Sequence, residues 1–300
     1  MTTAPYVTED AEGIGWKMML GDSCERLGEL EDDSIDLSIF SPPFASLYTY
    51  SPSERDLGNS SDRDEFFEHF GFITDHLLRV TKVGRLACVH VQQLTTTKAT
   101  HGFNSLTDFR GQVIAHFQQH GFWFHGEVTI DKDPQAQAIR TKAHALMFKT
   151  LRSDSSKSRP GLADYLLIFK KPGDSEIPIL GDVDNETWIS WARPVWYDIR
   201  ESDTLNTRVA RDSADERHIC PLQLPLIERC VRLWSNVGET VLSPFAGIGS
   251  EGVVSVKHNR RFIGCELKPS YWKTACDNLQ TAEGQLEIQM GASSDLEEAA

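Results

Sequence analysis

The stretch Asp36-Leu37-Ser38-Ile39-Phe40-Ser41-Pro42-Pro43-Phe44 decides the fold. Ile35, Leu37, Ile39 and Phe40 form an apolar run of strand length, and the serine and two prolines after it end the strand in a loop that cannot continue as sheet. Consecutive prolines carry no N–H and hold φ at about −65°, so they present carbonyl oxygens in a stiff geometry beside the Ser41 hydroxyl and the Phe44 ring. Acceptors for an amino group and a face for a planar ring are thereby placed together. Taken alone, a Pro-Pro pair marks an ordinary strand-ending turn. A second element, Ser243-Pro244-Phe245-Ala246-Gly247-Ile248-Gly249-Ser250, outweighs that reading.

Around these two stretches the chain reads as alternating strands and helices. Lys17 to Leu20 is a strand ending at Gly21-Asp22, a brief helix covers Cys24 to Leu30, and the strand Ile35 to Phe40 follows. After Phe44 a turn-rich loop runs from Ala45 to Asp62, with Tyr48, Tyr50 and Gly58-Asn59, leaving a buried strand as functional loops of open α/β sheets do. Ser61 with Asp64 resembles a capping box for a helix whose core face is Phe66, Phe70, Ile73, Leu77 and Val80. A turn at Lys82 to Arg85 leads to a strand over Leu86 to Val91. Ser105 with Asp108 repeats the capping pattern ahead of a helix with Phe109, Val113 and Phe117, stopped by Gly121. Strands are expected at Phe122 to Ile130 and Tyr165 to Phe169, separated by a basic segment with little periodicity. Residues 172–217 are also poorly periodic and carry Trp188, Trp191, Trp196, Arg193, Arg208 and Arg211. From Pro221 a helix reaches about Ser235, Thr240 to Leu242 is a strand, and the glycine-rich turn opens a helix to about His258. A strand Phe262 to Cys265, ending at Glu266, and a helix to about Leu279 complete the folded part. The acidic stretch 281–300 is poor in large apolar residues and reads as disordered.

At 300 residues with 40% apolar composition, the chain has enough material for one large α/β domain with an insertion, or for two domains. No run approaches the roughly 18 apolar residues of a membrane span, and the N-terminus shows no export signal. Six cysteines without a Cys-x-x-Cys pair argue against a structural zinc site and for reduced thiols in cytoplasm, so no metal is expected. The net charge of −14 is unevenly spread. Residues 132–171 hold nine Lys or Arg against three Asp, a local +6, so the remainder carries −20. A local basic stretch on an acidic protein can still follow a phosphate backbone, because the field at the contact surface is what matters.

A strand, Gly247-x-Gly249, a helix, and an acidic residue ending the next strand place backbone close to a cofactor and the Glu266 carboxylate opposite a ribose. With Gly252 the literal pattern Gly-x-Gly-x-x-Gly is present, which alone would support a nicotinamide enzyme. That reading leaves Ser41-Pro42-Pro43-Phe44 unexplained. Together the two motifs resemble the catalytic and cofactor motifs of the amino-group DNA methyltransferases, in the permuted order of the beta group of that family. The resemblance spans most of residues 14–280 and includes Gly21-Asp22, Asp56-Leu57-Gly58-Asn59, Cys220-Pro221-Leu222-Gln223, and Glu266-Leu267 followed by Tyr271.

The resemblance implies an α/β Rossmann-like methyltransferase fold: a mostly parallel seven-stranded sheet, helices on both faces, and a target-recognition insertion. It divides the chain into a catalytic half (14–130), a target-recognition region (131–217) interrupted by a core strand at 164–170, and a cofactor-binding half (218–280), before the tail at 281–300. It implies that Ser41, Pro42, Pro43 and Phe44 are catalytic and that S-adenosylmethionine lies against Phe245, Ala246, Gly247, Gly249 and Ser250. Glu266 would take its ribose hydroxyls, and Asp22 with Pro221, Leu222 and Gln223 its adenine or methionine ends. Arg140, Lys142, Lys149, Arg152, Lys157 and Arg159 are the candidate contacts to double-stranded DNA. For any single one of the six, solvent exposure alone is an equal reading. Without the family, Asp22 reads as a turn residue and Pro221 as a first helix residue.

Ser rather than Asp at position 41 is nearer to the cytosine-N4 members than to the adenine-N6 members. The expected activity is N4-methylation of cytosine, with adenine-N6 methylation as the alternative. No Pro-Cys dipeptide is present to supply the thiol that cytosine-C5 methylation needs. The chain departs from the family at Ser243, where Asp-Pro-Phe is common. The loss of that carboxylate leaves a catalytically silent DNA-binding relative as a further alternative. The family implies a prokaryotic or phage-infected cell, and leaves open a homodimer and a cognate restriction endonuclease as partners.

Overall fold

Asp36, at the start of the quoted strand, is 2% exposed, and its carboxylate accepts from Thr240 N (2.9 Å) and from Lys82 Nζ (2.7 Å). A buried carboxylate persists only when it is paired, and these bonds tie together three strands at their N-terminal ends. Arg85, also buried, adds a two-pronged ion pair with Glu239. The computed structural model describes residues 6–43, 56–60, 63–206 and 221–298.

In chain order the elements are β1 (Glu9–Gly13), β2 (Trp16–Leu20), α1 (Ser23–Arg26), β3 (Ile35–Phe40), α2 (Arg63–Val80), β4 (Thr81–Gln92), β5 (Leu94–Thr96), α3 (Lys98–His101), β6 (Ser105–Thr107), α4 (Phe109–Gln119) and β7 (Trp123–Ile130). They continue with α5 (Pro134–Thr141), α6 (Phe148–Ser153), β8 (Asp164–Lys170), α7 (Asn185–Trp191), β9 (Val195–Trp196), α8 (Leu224–Trp234), β10 (Thr240–Ser243), α9 (Ser250–Lys257), β11 (Arg261–Glu266) and α10 (Pro269–Glu298).

The main sheet has the order β1-β2-β11-β10-β3-β4-β8-β7-β9. The block β2-β11-β10-β3-β4 is parallel throughout, while β1 is antiparallel to β2 and β8 is antiparallel to both β4 and β7. The seven expected strands are all present. Among the described residues two additions make nine in this sheet, β1, whose Glu-Asp-Ala-Glu-Gly sequence has no apolar alternation, and the two-residue β9, while β5 and β6 pair separately. Lys82 to Arg85, expected as a turn, belongs to β4, with the irregularity taken up by Gly84 at φ +75° and a register shift beside Ile35 and Leu37.

Helices cover both faces. Leu37, Ile39, Leu86 and Cys88 pack with Leu226, Ile227 and Val231 of α8 and with residues of α9 and α10. Ala87, Val89 and Val91 alternate to the other face, against Phe66, Phe70, Ile73 and Leu77 of α2 and Phe109, Val113 and Phe117 of α4. A sheet buried on both sides needs apolar residues at consecutive positions, which is why its strands read as continuous runs.

Three expectations need correction. Asp108, not Ser105, caps α4, its side chain accepting from Gly111 N, while Ser105 lies in β6. The poorly periodic segments contain short helices, α5 and α6 in the first and α7 in the second. The tail read as disordered is helical to Glu298 as the continuation of α10. Tertiary contacts account for its first turns: Ala282 is 1% exposed, and the Glu283 carboxylate accepts from Ile14 N and Trp16 Nε1. Ser61 of the first capping pattern, Tyr48 and Tyr50, Arg208 and Arg211, and Cys220 lie outside the described residues.

Candidate active site

Parallel strands deliver their following residues to one edge, and the registers show which residues meet there. Leu20 pairs with Glu266, Ser243 with Gly264, Leu242 with Ser38, and Phe40 with Val89. Asp22, Glu266, the Phe245–Ser250 turn, Ser41 and His90 therefore all fall at the same end of the sheet. The Phe40 and Phe245 rings, 5.9 Å apart, join the two motif loops directly.

On the cofactor side the glycines divide their work. Gly247 (φ +54°) and Gly249 (φ +84°) adopt left-handed backbone that disfavours other residues. A Cβ on Gly247 would meet no atom within 4 Å, so backbone is open to a ligand there. A Cβ on Gly252 would stand 2.5 Å from the Phe262 ring, so the third glycine serves helix-to-strand packing. The Glu266 carboxylate accepts from Gly247 N (2.9 Å) and Lys268 N (2.8 Å), holding both loops. Burial, together with the nearby Asp56 carboxylate, nonetheless pushes its pKa up to about 7, against the pull of these two N–H groups. Asp22 takes its turn role, capping α1 through Cys24 N, and Ser23 Oγ donates to Pro244 O across the loops.

Leu222 is core and Gln223 is the N-cap residue of α8; Pro221 precedes them, half-buried. Leu224 N donates to Asp203 O, and Leu205 packs against Ile248 and Tyr271, which brings this segment beside the glycine turn. Ser243 Oγ, Ser250 Oγ and Gln223 Oε1 are buried without a hydrogen-bond partner. Unsatisfied buried polar atoms are rare in folded proteins, and their gathering around an open glycine turn with a carboxylate fits a polar ligand carrying hydroxyl and charged groups. Ala246 is buried at the base of the turn.

On the catalytic side Ser41 and Pro43 are half-buried and Pro42 is buried; Phe44 lies outside the described residues. Ser41 Oγ donates to His90 O (3.2 Å) and stands 3.4 Å from His90 Nδ1. His90 in turn meets Asp164, which is paired with Lys132. None of these three was singled out by sequence as a site residue, because each stands alone among residues of ordinary strand character. Burial drives the Cys265 and Cys24 thiols up to about 12, so neither supplies a thiolate at this edge.

Lys142, Lys149, Arg152 and Lys157 are exposed on and between α5, α6 and the turn after it, with Lys157 paired to Asp154 at 3.1 Å. Arg159 is half-buried and donates to Pro160 O, and Arg140 lies on α5. Lys132, counted in the basic segment, is buried against Asp164 and adds nothing to a surface field. Among the described residues no helix is long and apolar enough to cross a membrane.

The sheet order, the covering of both faces and the shared edge define a Rossmann-like methyltransferase fold. Residues 35–277 match the N6_N4 DNA methylase family, and the chain belongs to it. It is 34% identical over 121 residues to the type II methyltransferase M.BglI of Bacillus subtilis, a match covering 39% of this chain and 31% of that protein. The orphan methyltransferase M.BamHII of Bacillus amyloliquefaciens is 23% identical over 274 residues, covering 83% of this chain and 90% of the relative. Among solved structures, the PvuII cytosine-N4-specific DNA methyltransferase superposes with a TM-score of 0.63 at 17% identity, covering 90% of this chain and 92% of that one. A putative DNA modification methylase from Thermus thermophilus, complexed with S-adenosyl-L-methionine, gives 0.66 at 21% identity, covering 88% and 94%. At these identities the likeness shows the fold.

Proposed function

We propose that this chain methylates the exocyclic N4 amino group of cytosine in double-stranded DNA at a specific site, using S-adenosylmethionine. The observation that carries the reading is that Ser41 and the Phe245–Gly249 turn follow neighbouring parallel strands at one sheet edge, where the Phe40 and Phe245 rings are in contact. When bound, the cofactor supplies a methyl group already activated by a sulfonium, so positioning and electrostatics suffice for the remaining catalysis. Glu266 would hold the ribose hydroxyls, and Ser243, Ser250 and Gln223 offer the polar atoms that lack partners. An exocyclic amine is a poor nucleophile because its lone pair is delocalised into the ring. Acceptance of its hydrogens by Ser41 Oγ and the Pro42 carbonyl favours a pyramidal nitrogen with that pair free.

The amine is inaccessible within a duplex, so the base must flip out at a cost of a few kcal/mol, of which stacking on an aromatic face such as Phe44 would recover about 1–3 kcal/mol. The region 131–217 would read the target, with Arg140, Lys142, Lys149, Arg152, Lys157 and Arg159 on phosphates or bases. Ser rather than Asp at position 41 is the residue that supports cytosine over adenine. The absence of a carboxylate at Ser243 is what leaves the second reading, a silent DNA-binding relative. Such a protein would act in the cytoplasm of a prokaryotic or phage-infected cell, beside a cognate endonuclease or alone.

Nucleoside mass spectrometry of plasmid DNA treated with protein and cofactor separates these readings. N4-methylcytosine is the expected product. N6-methyladenine alone would transfer the activity to adenine, and DNA binding without cofactor binding would establish the silent relative.

A further inference from the structure

His90 is 7% exposed on β4, Asp164 is 4% exposed at the start of β8, and Lys132 is 8% exposed after β7. His90 Nε2 stands 3.1 Å from Asp164 Oδ2, and the same oxygen is 2.7 Å from Lys132 Nζ. Glu201 lies behind, 3.8 Å from Lys132, and these are the charged groups that face His90 from the neighbouring elements. Burial alone would raise the Asp164 carboxyl, but attraction and hydrogen bonds from His90 and Lys132 outweigh it and hold the group below the usual carboxylate range. Asp164 is therefore ionised and can only accept, so His90 donates to it from Nε2, and in the neutral imidazole, the form able to take a proton, Nδ1 then carries the lone pair. That lone pair is 3.4 Å from Ser41 Oγ, and the other inward partner of Ser41 is the His90 carbonyl at 3.2 Å.

Both inward partners of Ser41 are acceptors. The single hydroxyl hydrogen is consequently directed toward β4, and oxygen lone pairs are left for a group in the cleft. A serine constrained in this way favours an N–H donor over a carbonyl or ring nitrogen. We propose that His90, oriented by Asp164, fixes Ser41 as an acceptor toward the target amine and takes the proton that this amine sheds. The proposal rests on the reading of Ser41 given above.

The step balances. With the methyl donor bound, the amine lone pair would form the N–C bond while the S–C bond broke with its electron pair left on sulfur. The cationic nitrogen then loses its proton to Ser41 Oγ as the Ser41 proton passes to His90 Nδ1. The resulting imidazolium keeps its Nε2–H on Asp164 and later returns the extra proton to water. Catalytic hydrogen bonds of this length shorten when substrate completes the network. His90 and Asp164 act through Ser41 and are positioning residues.

The test measures single-turnover methyl transfer from tritiated S-adenosylmethionine to unmethylated plasmid DNA, at saturating cofactor and DNA, across about pH 5.5 to 9. Wild type, Ser41→Ala and His90→Gln are compared, with cofactor and DNA affinities measured alongside. The wild-type rate is expected to rise with pH to a plateau. His90→Gln is expected to lose that inflection and about 100-fold in rate, the lower end of general-base effects, with both affinities unchanged. If Ser41→Ala is inactive but His90→Gln keeps the wild-type rate and inflection, the relay is overturned and the reading of Ser41 stands. Full activity in Ser41→Ala overturns both. Should His90→Gln fail to fold, Asp164→Asn is measured in its place, and a wild-type rate in that folded variant overturns the relay.

Discussion

Glu266 shows how one side chain can serve two partners. Its carboxylate already holds the Gly247 and Lys268 N–H groups, and burial lifts its pKa to about 7, so it changes charge near neutrality. Ribose hydroxyls donate better to the ionised form. Cofactor affinity is therefore expected to fall by up to about tenfold per pH unit below 7, and Glu266→Gln to remove the dependence, as read by titration calorimetry across pH. Glu251, 5% exposed in the first turn of α9, makes the complementary case. Burial raises its pKa from 4.5 to about 8, so the folded chain binds this proton more tightly than the unfolded chain. The associated stability is fully present below pH 4.5 and is lost as pH rises toward 8. Glu251→Gln should stabilise the fold by a few kcal/mol at about pH 8 and by little at about pH 5, seen in thermal melts at both. The place of Glu266 beside the glycine turn was legible because it ends a strand at a fixed distance from the glycines. His90 and Asp164 were not, because they are 74 positions apart and meet only through antiparallel pairing.

Among elements, legibility followed the apolar pattern. β3, β4, β8, α2 and α4 bury regular stripes, and the sequence placed them within a few residues. β1 and the end of α10 depend on edge pairing and on polar contacts to distant residues, which leave no local period. Glu283 ties α10 to the turn between β1 and β2 through Ile14 N and Trp16 Nε1. Hydrogen bonds to a charged group contribute about 1.5–3 kcal/mol. Glu283→Ala should therefore lower the denaturant midpoint by that order without changing its slope, whereas a disordered tail would show no change. The glycine turn was legible as a motif, but only the surroundings of each glycine separate Gly252, packed on Phe262, and Gly249, packed on Ala275, from Gly247, which faces open space.

For the whole molecule the question is how a chain of net charge −14 holds a polyanion. Lys142, Lys149, Arg152 and Lys157 are exposed within one short region, while Lys132 is spent on Asp164 and Lys171 on Asp33. Composition revealed the basic segment and could not say which of its cations face solvent. Replacing Arg140, Lys142, Lys149, Arg152, Lys157 and Arg159 with alanine should weaken DNA binding across all sequences. It should also reduce the slope of log affinity against log salt by about 0.9 for each phosphate that is no longer neutralised. An unchanged slope in a filter-binding series would place the DNA elsewhere.

The central claim is that the Ser41 and Gly247 loops line one cleft in which methyl donor and amine meet. A crystal structure with bound S-adenosylmethionine tests it most directly. The account predicts the ribose on Glu266 and the sulfonium methyl directed toward the Ser41 hydroxyl. A cofactor seated away from Gly247, or with its methyl turned from Ser41, would contradict it.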